Sequence, residues 1–217
     1  MVKKLAFLLL FVALVFVFSQ VELSKVWGTE GQTFTLYEFL GPLPMAFLGP
    51  VFGAVAIIFA RSADLLINGA EFTVFDIARI FTMVFAAWYF VNYKKNYAML
   101  AIPAIAMAMF FLHPVGSQVW YYSLYWLIPV AAFFLRENLW LRSLGASFTA
   151  HAVGSVAFLY TFTTSPELWL MLIPIVAIER ILFATGIAAS YISFNNLLNR
   201  YFSRDKTISI DKKYSLL

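Results

Sequence analysis

Apolar residues run almost unbroken from Leu5 to Phe18, Phe39 to Ile67, Asp76 to Tyr93, Tyr97 to Leu112, Gln118 to Leu135, Ser143 to Phe162 and Leu168 to Leu198, and most charged residues fall at the joints. Runs of this kind predict membrane-crossing helices, each needing about 20 residues. The period-2 alternation of a membrane β-barrel is absent. The pattern therefore predicts an all-α fold, a polytopic transmembrane helical bundle over residues 1–200 with a basic cytoplasmic tail over 201–217. Met1-Val2-Lys3-Lys4 ahead of the first run reads as the start of a retained helix, with a signal peptide cleaved after Ser19 as the alternative. Residues 22–37, with Gly28, Gly31 and several threonines, favour extended or turn structure.

The block 39–67 decides the topology. Lys94-Lys95, Arg136 with Arg142, and Arg200, Arg204, Lys206, Lys212 and Lys213 mark cytoplasmic ends by the positive-inside bias, while Glu71, His113 and Glu167 fall on the other side. Counting back from the C-terminus puts 68–75 outside, and counting forward from Lys3 and Lys4 puts 22–37 outside too. Residues 39–67 must then cross an even number of times. Leu48-Gly49-Pro50-Val51 supplies the reversal, with Gly where one helix ends and Pro where the next can start. A hairpin of Phe39–Leu48 and Val51–Ile67 gives eight crossings with both termini in the cytoplasm. Seven crossings, with 43–67 as one tilted span, is the alternative.

Composition agrees: 63% of the 217 residues are hydrophobic and 12% charged, with a mean hydropathy of +0.84, against about 45–50% apolar in soluble domains. The formal charge of +4 sits at segment ends and in the tail, so it orients the chain and meets anionic lipid and does not form a nucleic-acid stripe. Without cysteine there are no disulfides, thiolate metal sites or cysteine nucleophiles.

Four sequence stretches, namely Phe34-Thr35-Leu36-Tyr37-Glu38-Phe39, Leu48-Gly49-Pro50-Val51-Phe52-Gly53-Ala54, Leu65-Leu66 with Gly69, and Ala86-Ala87-Trp88-Tyr89-Phe90 before Lys94-Lys95, resemble the substrate-binding S components of energy-coupling-factor vitamin transporters, the riboflavin-type members most of all. The last helix, with Ile173-Pro174 and Asn196-Leu197-Leu198-Asn199-Arg200, is similar to theirs. The resemblance covers about 34–95 and 143–200. It implies a six-helix core, here with Tyr97–Leu135 as an inserted hairpin, uptake of a vitamin-like small molecule, and an energising transmembrane subunit with ATPases as partner. It also implies that Trp27 and Tyr37 on the first outer loop close over the ligand.

Ionisable groups at membrane depth cost about 2.5–3.5 kcal/mol each, so each needs a partner or a purpose. Arg61 and Asp64 share a helix face, as do Asp76 and Arg79. They read either as two local ion pairs, or one network, bracing the hairpin, or as the lining of an outward cavity. His151 lies mid-helix with Ser147 and Ser155 one turn away, a packing histidine or a ligand donor. Glu179 and Arg180 point about 100° apart and should not satisfy each other, which makes Glu179 a cavity candidate. Trp120, Tyr121, Tyr122, Tyr125 and Trp126 form an interfacial belt or a stacking surface for a flat ring. The pairs Ala56/Ala60, Ala146/Ala150 and Ala184/Ala188 permit close helix approach.

No cofactor is implied. His-Glu-x-x-His, Gly-x-Ser-x-Gly and Gly-x-x-x-x-Gly-Lys motifs are missing, so the chain cannot hydrolyse ATP itself. The leading expectation is a cell-membrane substrate-binding subunit with its site among Trp27, Tyr37, Arg61, Asp64, Asp76, Arg79, Trp120, Tyr121, His151 and Glu179. The alternatives are an intramembrane enzyme on a lipid or isoprenoid substrate, working through Asp64, Asp76, His151 or Glu179, and a structural membrane protein.

Overall fold

The computed structural model describes residues 2–29, 32–67, 73–92, 96–135, 137–202 and 208–215, with side chains from Leu5 onward. Several residues that orient the chain by charge or carry its turns lie outside the described residues: Glu30, Gly31, Gly69, Glu71, Lys94, Lys95, Arg136, Arg204, Lys206 and the side chains of Lys3 and Lys4. What is described is a helical bundle with one short antiparallel hairpin, β1 (Glu22–Lys25) and β2 (Thr33–Thr35).

The direction of each pass follows from which residues meet. α1 (Val2–Ser19) begins where Phe7 packs edge-on against Phe202 at 4.9 Å and ends where the Ser19 hydroxyl donates to Asp64 Oδ1 at 2.8 Å. The first of these is the closed end of the bundle, the second the cavity end. From the β-hairpin the chain returns through α2 (Tyr37–Leu40) and α3 (Leu43–Leu48). Tyr37 lies beneath the Arg61 guanidinium, 5.2 Å from its ring, while the Phe47 carbonyl at the closed end accepts from the Ser209 N–H at 2.9 Å. α4 (Pro50–Ile67) then runs back to Arg61 and Asp64.

The reversal is the one expected from Gly49 and Pro50. Gly49 has φ +86°, a region open to glycine without steric penalty. Gly53 has no room for a side chain, since a Cβ would land on the backbone of Met45. The first arm is not one helix over Phe39–Leu48, however. It breaks at Gly41-Pro42, where proline has no N–H to continue α2.

α5 (Val74–Val91) runs from Arg79 at the cavity end to Phe90, 5.3 Å from Tyr191 at the closed end. A 3₁₀ turn at Tyr97–Leu100 leads into α6 (Ala101–Leu112), which climbs from Tyr97 beside Phe133 to Phe110 beside Trp169. After the one-turn α7 (Pro114–Gln118), the expected helix Gln118–Leu135 is two pieces, a 3₁₀ segment Trp120–Trp126 and α8 (Leu127–Phe134). The break puts Pro129 in the first turn of α8, where its missing N–H is no loss and its ring meets no carbonyl of a preceding α-turn. α9 (Leu139–Thr161) climbs again from Arg142, over Phe90 at 4.5 Å, to Phe158 beside Phe75. α10 (Pro166–Phe202) descends through all 37 residues, about 55 Å at 1.5 Å per residue. Among the described residues the eight passes alternate in direction.

Among the described residues three helices, Pro50–Ile67, Val74–Val91 and Pro166–Phe202, are long and apolar enough to cross a membrane. α9 is less apolar for a reason visible in its packing. Of its 23 residues 15 are buried, so its serines, Thr149 and His151 face protein on nearly every side. Ala56, Ala60, Ala146, Ala150 and Ala184 are also buried, and their spacing serves packing within the bundle.

Residues 208–215 return to the closed end. Asn195, fully buried, gives its side-chain N–H to the Asp211 carbonyl and takes the Asp211 N–H, both at 2.8 Å. Tyr191 and Asn196 add bonds to Asp211 and Tyr214.

Candidate functional site

At the other end the passes splay apart around a cavity of about 850 Å³ of atom-free space, mouth included. Its apolar wall is aromatic: Phe34 from β2, Phe75 from α5, Phe158 from α9, Trp169 from α10, and Trp27, 47% exposed, at the rim. Six charged side chains line it as well: Lys25, Glu38, Arg61, Arg79, Glu179 and Arg180. They come from five elements that meet only in the folded chain.

Each is held differently. Arg61 Nη1 lies 2.8 Å from Asp64 Oδ2, the local ion pair its spacing implies. Asp76 and Arg79 do not pair as expected. Asp76 closes a capping box with Thr73, its Oδ2 accepting from the Thr73 hydroxyl at 2.6 Å and N–H at 3.3 Å. This turns the carboxylate back toward the helix start. Gln32 bridges the two instead, donating to Asp76 Oδ1 at 3.0 Å and accepting from Arg79, which also donates to the Thr33 carbonyl at 2.9 Å. Arg79 thus clamps the β-hairpin over the cavity.

Glu179 and Arg180 also depart from expectation, for their side chains meet, Nη2 to Oε2 at 3.4 Å. Flexible χ angles overcome the 100° between their Cα–Cβ directions. The contact is long and does not exhaust either group. Glu179 Oε1 accepts from Ser24 of β1 at 2.6 Å, and Arg180 lies against the rings of Phe34 and Phe183 at 4.7 and 4.5 Å. Glu38 has no hydrogen bond or ion pair to any described residue, and neither the Tyr37 hydroxyl nor Arg180 Nε has a hydrogen-bond partner among them. These groups stand ready for a polar ligand.

Deeper in, His151 is one link in a chain. The Trp126 indole N–H donates to its Nδ1 at 3.1 Å, and its Nε2 lies 3.0 Å from the Tyr122 hydroxyl. Tyr122 packs against Phe110 and Trp169 and faces the cavity beside Ser155.

Of the residues singled out from sequence, Trp27, Tyr37, Arg61, Arg79, His151 and Glu179 come together on this wall. Asp64 and Asp76 do not line it: Asp64 holds Arg61, which does, and Asp76 holds Gln32, which in turn takes Arg79. Trp120 and Tyr121 are 49% and 39% exposed and lie away from it. Sequence reasoning missed Glu38, Lys25 and Ser155 as lining groups and did not single out Tyr122 among its aromatic neighbours.

Cavity and wall together set Lys25, Arg61, Arg79 and Arg180 against Glu38, Asp64, Asp76 and Glu179, so the formal charges cancel. Such a site suits an uncharged or zwitterionic molecule with a flat apolar body and polar edges. Among the described residues no cluster of three or more His, Cys, Asp or Glu is placed to hold a metal ion. Of the four residues an intramembrane enzyme would draw on, His151 and Glu179 line the cavity and Asp64 and Asp76 do not. Comparison with protein-family models, curated proteins and solved structures finds no match to this chain.

Proposed function

We propose that this protein is an integral membrane subunit that binds a vitamin-like small molecule for uptake, the role of the S components it resembles. The observation that carries the reading is the cavity: an apolar bundle gathers six charged side chains into one aromatic-walled chamber under a β-hairpin lid. A purely structural bundle has no use for that arrangement, because each such group is costly at membrane depth. The eight alternating passes support eight membrane crossings, with 97–135 as the inserted hairpin. Both termini then lie in the cytoplasm of a cell-membrane protein and the cavity opens outward, where a substrate arrives. Lacking a nucleotide-binding motif, the chain takes an energising transmembrane subunit with ATPases as its partner.

Native mass spectrometry of the detergent-purified protein tests this. A stoichiometric small molecule is expected, and it should be lost from the Arg79→Ala/Glu179→Ala double variant that still elutes as a folded species. Equal occupancy in that variant removes the site assignment. A bound lipid intermediate that the protein converts would replace binding with enzymatic turnover.

A further inference from the structure

The hydrogen bonds around His151 determine where one proton points. An indole N–H is a donor only, so Trp126 at 3.1 Å requires a lone pair on His151 Nδ1. An imidazolium has none to offer. The ring is then neutral and carries its proton on Nε2, which gives it to the Tyr122 oxygen 3.0 Å away. With His151 committed as donor, the proton of Tyr122 must go elsewhere. Arg180 beside it accepts nothing. Glu179 makes no hydrogen bond to Tyr122 among the described residues, its oxygens meeting Ser24 and Arg180. What remains is Ser155, which lines the cavity with Tyr122, and the cavity itself.

Resting on the binding reading above, we infer that the Trp126–His151–Tyr122 chain makes Tyr122 a one-way hydrogen-bond donor, selecting ligands that present an acceptor, a carbonyl or ring nitrogen, at the cavity floor. A ligand offering only an N–H there meets a second donor in Tyr122. Specificity of this kind is strong, because a buried polar group left unpaired carries its full desolvation cost. The hairpin 97–135 thereby acquires a role in recognition, since it carries both Tyr122 and Trp126.

Solid-state NMR of the full chain with ¹⁵N-histidine in lipid nanodiscs tests the inference. His113→Asn leaves one histidine signal and keeps an acceptor where His113 Nδ1 takes the Val115 N–H. The expected spectrum shows a bare Nδ1 and a protonated Nε2. Benzamide, a flat ring with one carbonyl, should move the Nε2 resonance in the His113→Asn background and leave it in place once Tyr122→Phe is added. Benzylamine, a donor, should do nothing. A protonated Nδ1, an imidazolium, or no response to benzamide overturns the inference. The resting spectrum needs no ligand, so it can fail while mass spectrometry upholds binding, and the reverse.

Discussion

Replacing Arg79 by methionine should unlatch the lid while leaving the bundle intact. The guanidinium holds the β-hairpin through Gln32 and through the Thr33 carbonyl at 2.9 Å. Hydrogen bonds from a charged donor contribute about 1.5–3 kcal/mol each, and for a half-buried arginine the lower end applies, giving about 3 kcal/mol for the two. Two tethers survive, Ser24 on Glu179 and Gln32 on Asp76, so the hairpin still docks but opens more often. At about 1.4 kcal/mol per factor of ten, opening becomes on the order of 100-fold more frequent. Hydrogen–deuterium exchange read by mass spectrometry reports this directly, through amides such as Val26 N–H on the Gln32 carbonyl and Leu36 N–H on the Val21 carbonyl. Peptides covering 21–36 should exchange roughly 100-fold faster, and those covering α9 at the wild-type rate. Unchanged exchange in 21–36 would show that the clamp carries no weight, and equal acceleration throughout would show that Arg79 supports the bundle as a whole.

Asp64→Ala strands Arg61 without its partner, and a broken buried pair typically costs about 3–5 kcal/mol, so the thermal midpoint in detergent should fall by roughly 6–20 °C. Arg61→Met/Asp64→Leu should recover most of that loss, and a double variant no better than Asp64→Ala would refute the pairing argument. Asn195→Leu removes both bonds to the Asp211 backbone, about 2 kcal/mol at 1 kcal/mol each. It should make the C-terminal segment markedly more sensitive to trypsin at Lys212 and Lys213, and cleavage at the wild-type rate would argue against the anchor.

The reversal at Gly49-Pro50 was legible in the chain because both residues act locally, through φ and a missing N–H. Arg61–Asp64 was legible for a similar reason: the spacing alone brings the groups together. Asp76–Arg79 has the same spacing and a different outcome, because Thr73 offers Asp76 a cap and Gln32, 44 residues away in sequence from Asp76, takes the space between. His151 stood out as the one ionisable group in the middle of its helix. Tyr122 did not, since nothing in a run of five aromatics says which ring turns inward and which faces lipid. Glu38 was hidden by its place at the edge of a loop, where a carboxylate ordinarily needs no explanation. The return of residues 208–215 to the bundle depends on Asn195, Asn196 and Tyr191, whose polarity on the last helix has no periodic signature.

The charged wall of the cavity is gathered from residues 25 to 180, and the order of synthesis gives this a consequence. Arg61 and Asp64 leave the ribosome together and can neutralise each other at once. Arg79 finds Gln32 and Thr33 already made, but the Ser24 hydroxyl of the lid has no such early company, because Glu179 arrives with the last helix. A nascent chain that has not yet delivered α10 therefore holds its least lipid-compatible side chains with half their surroundings missing. The charged wall is whole only when α10 has joined the bundle.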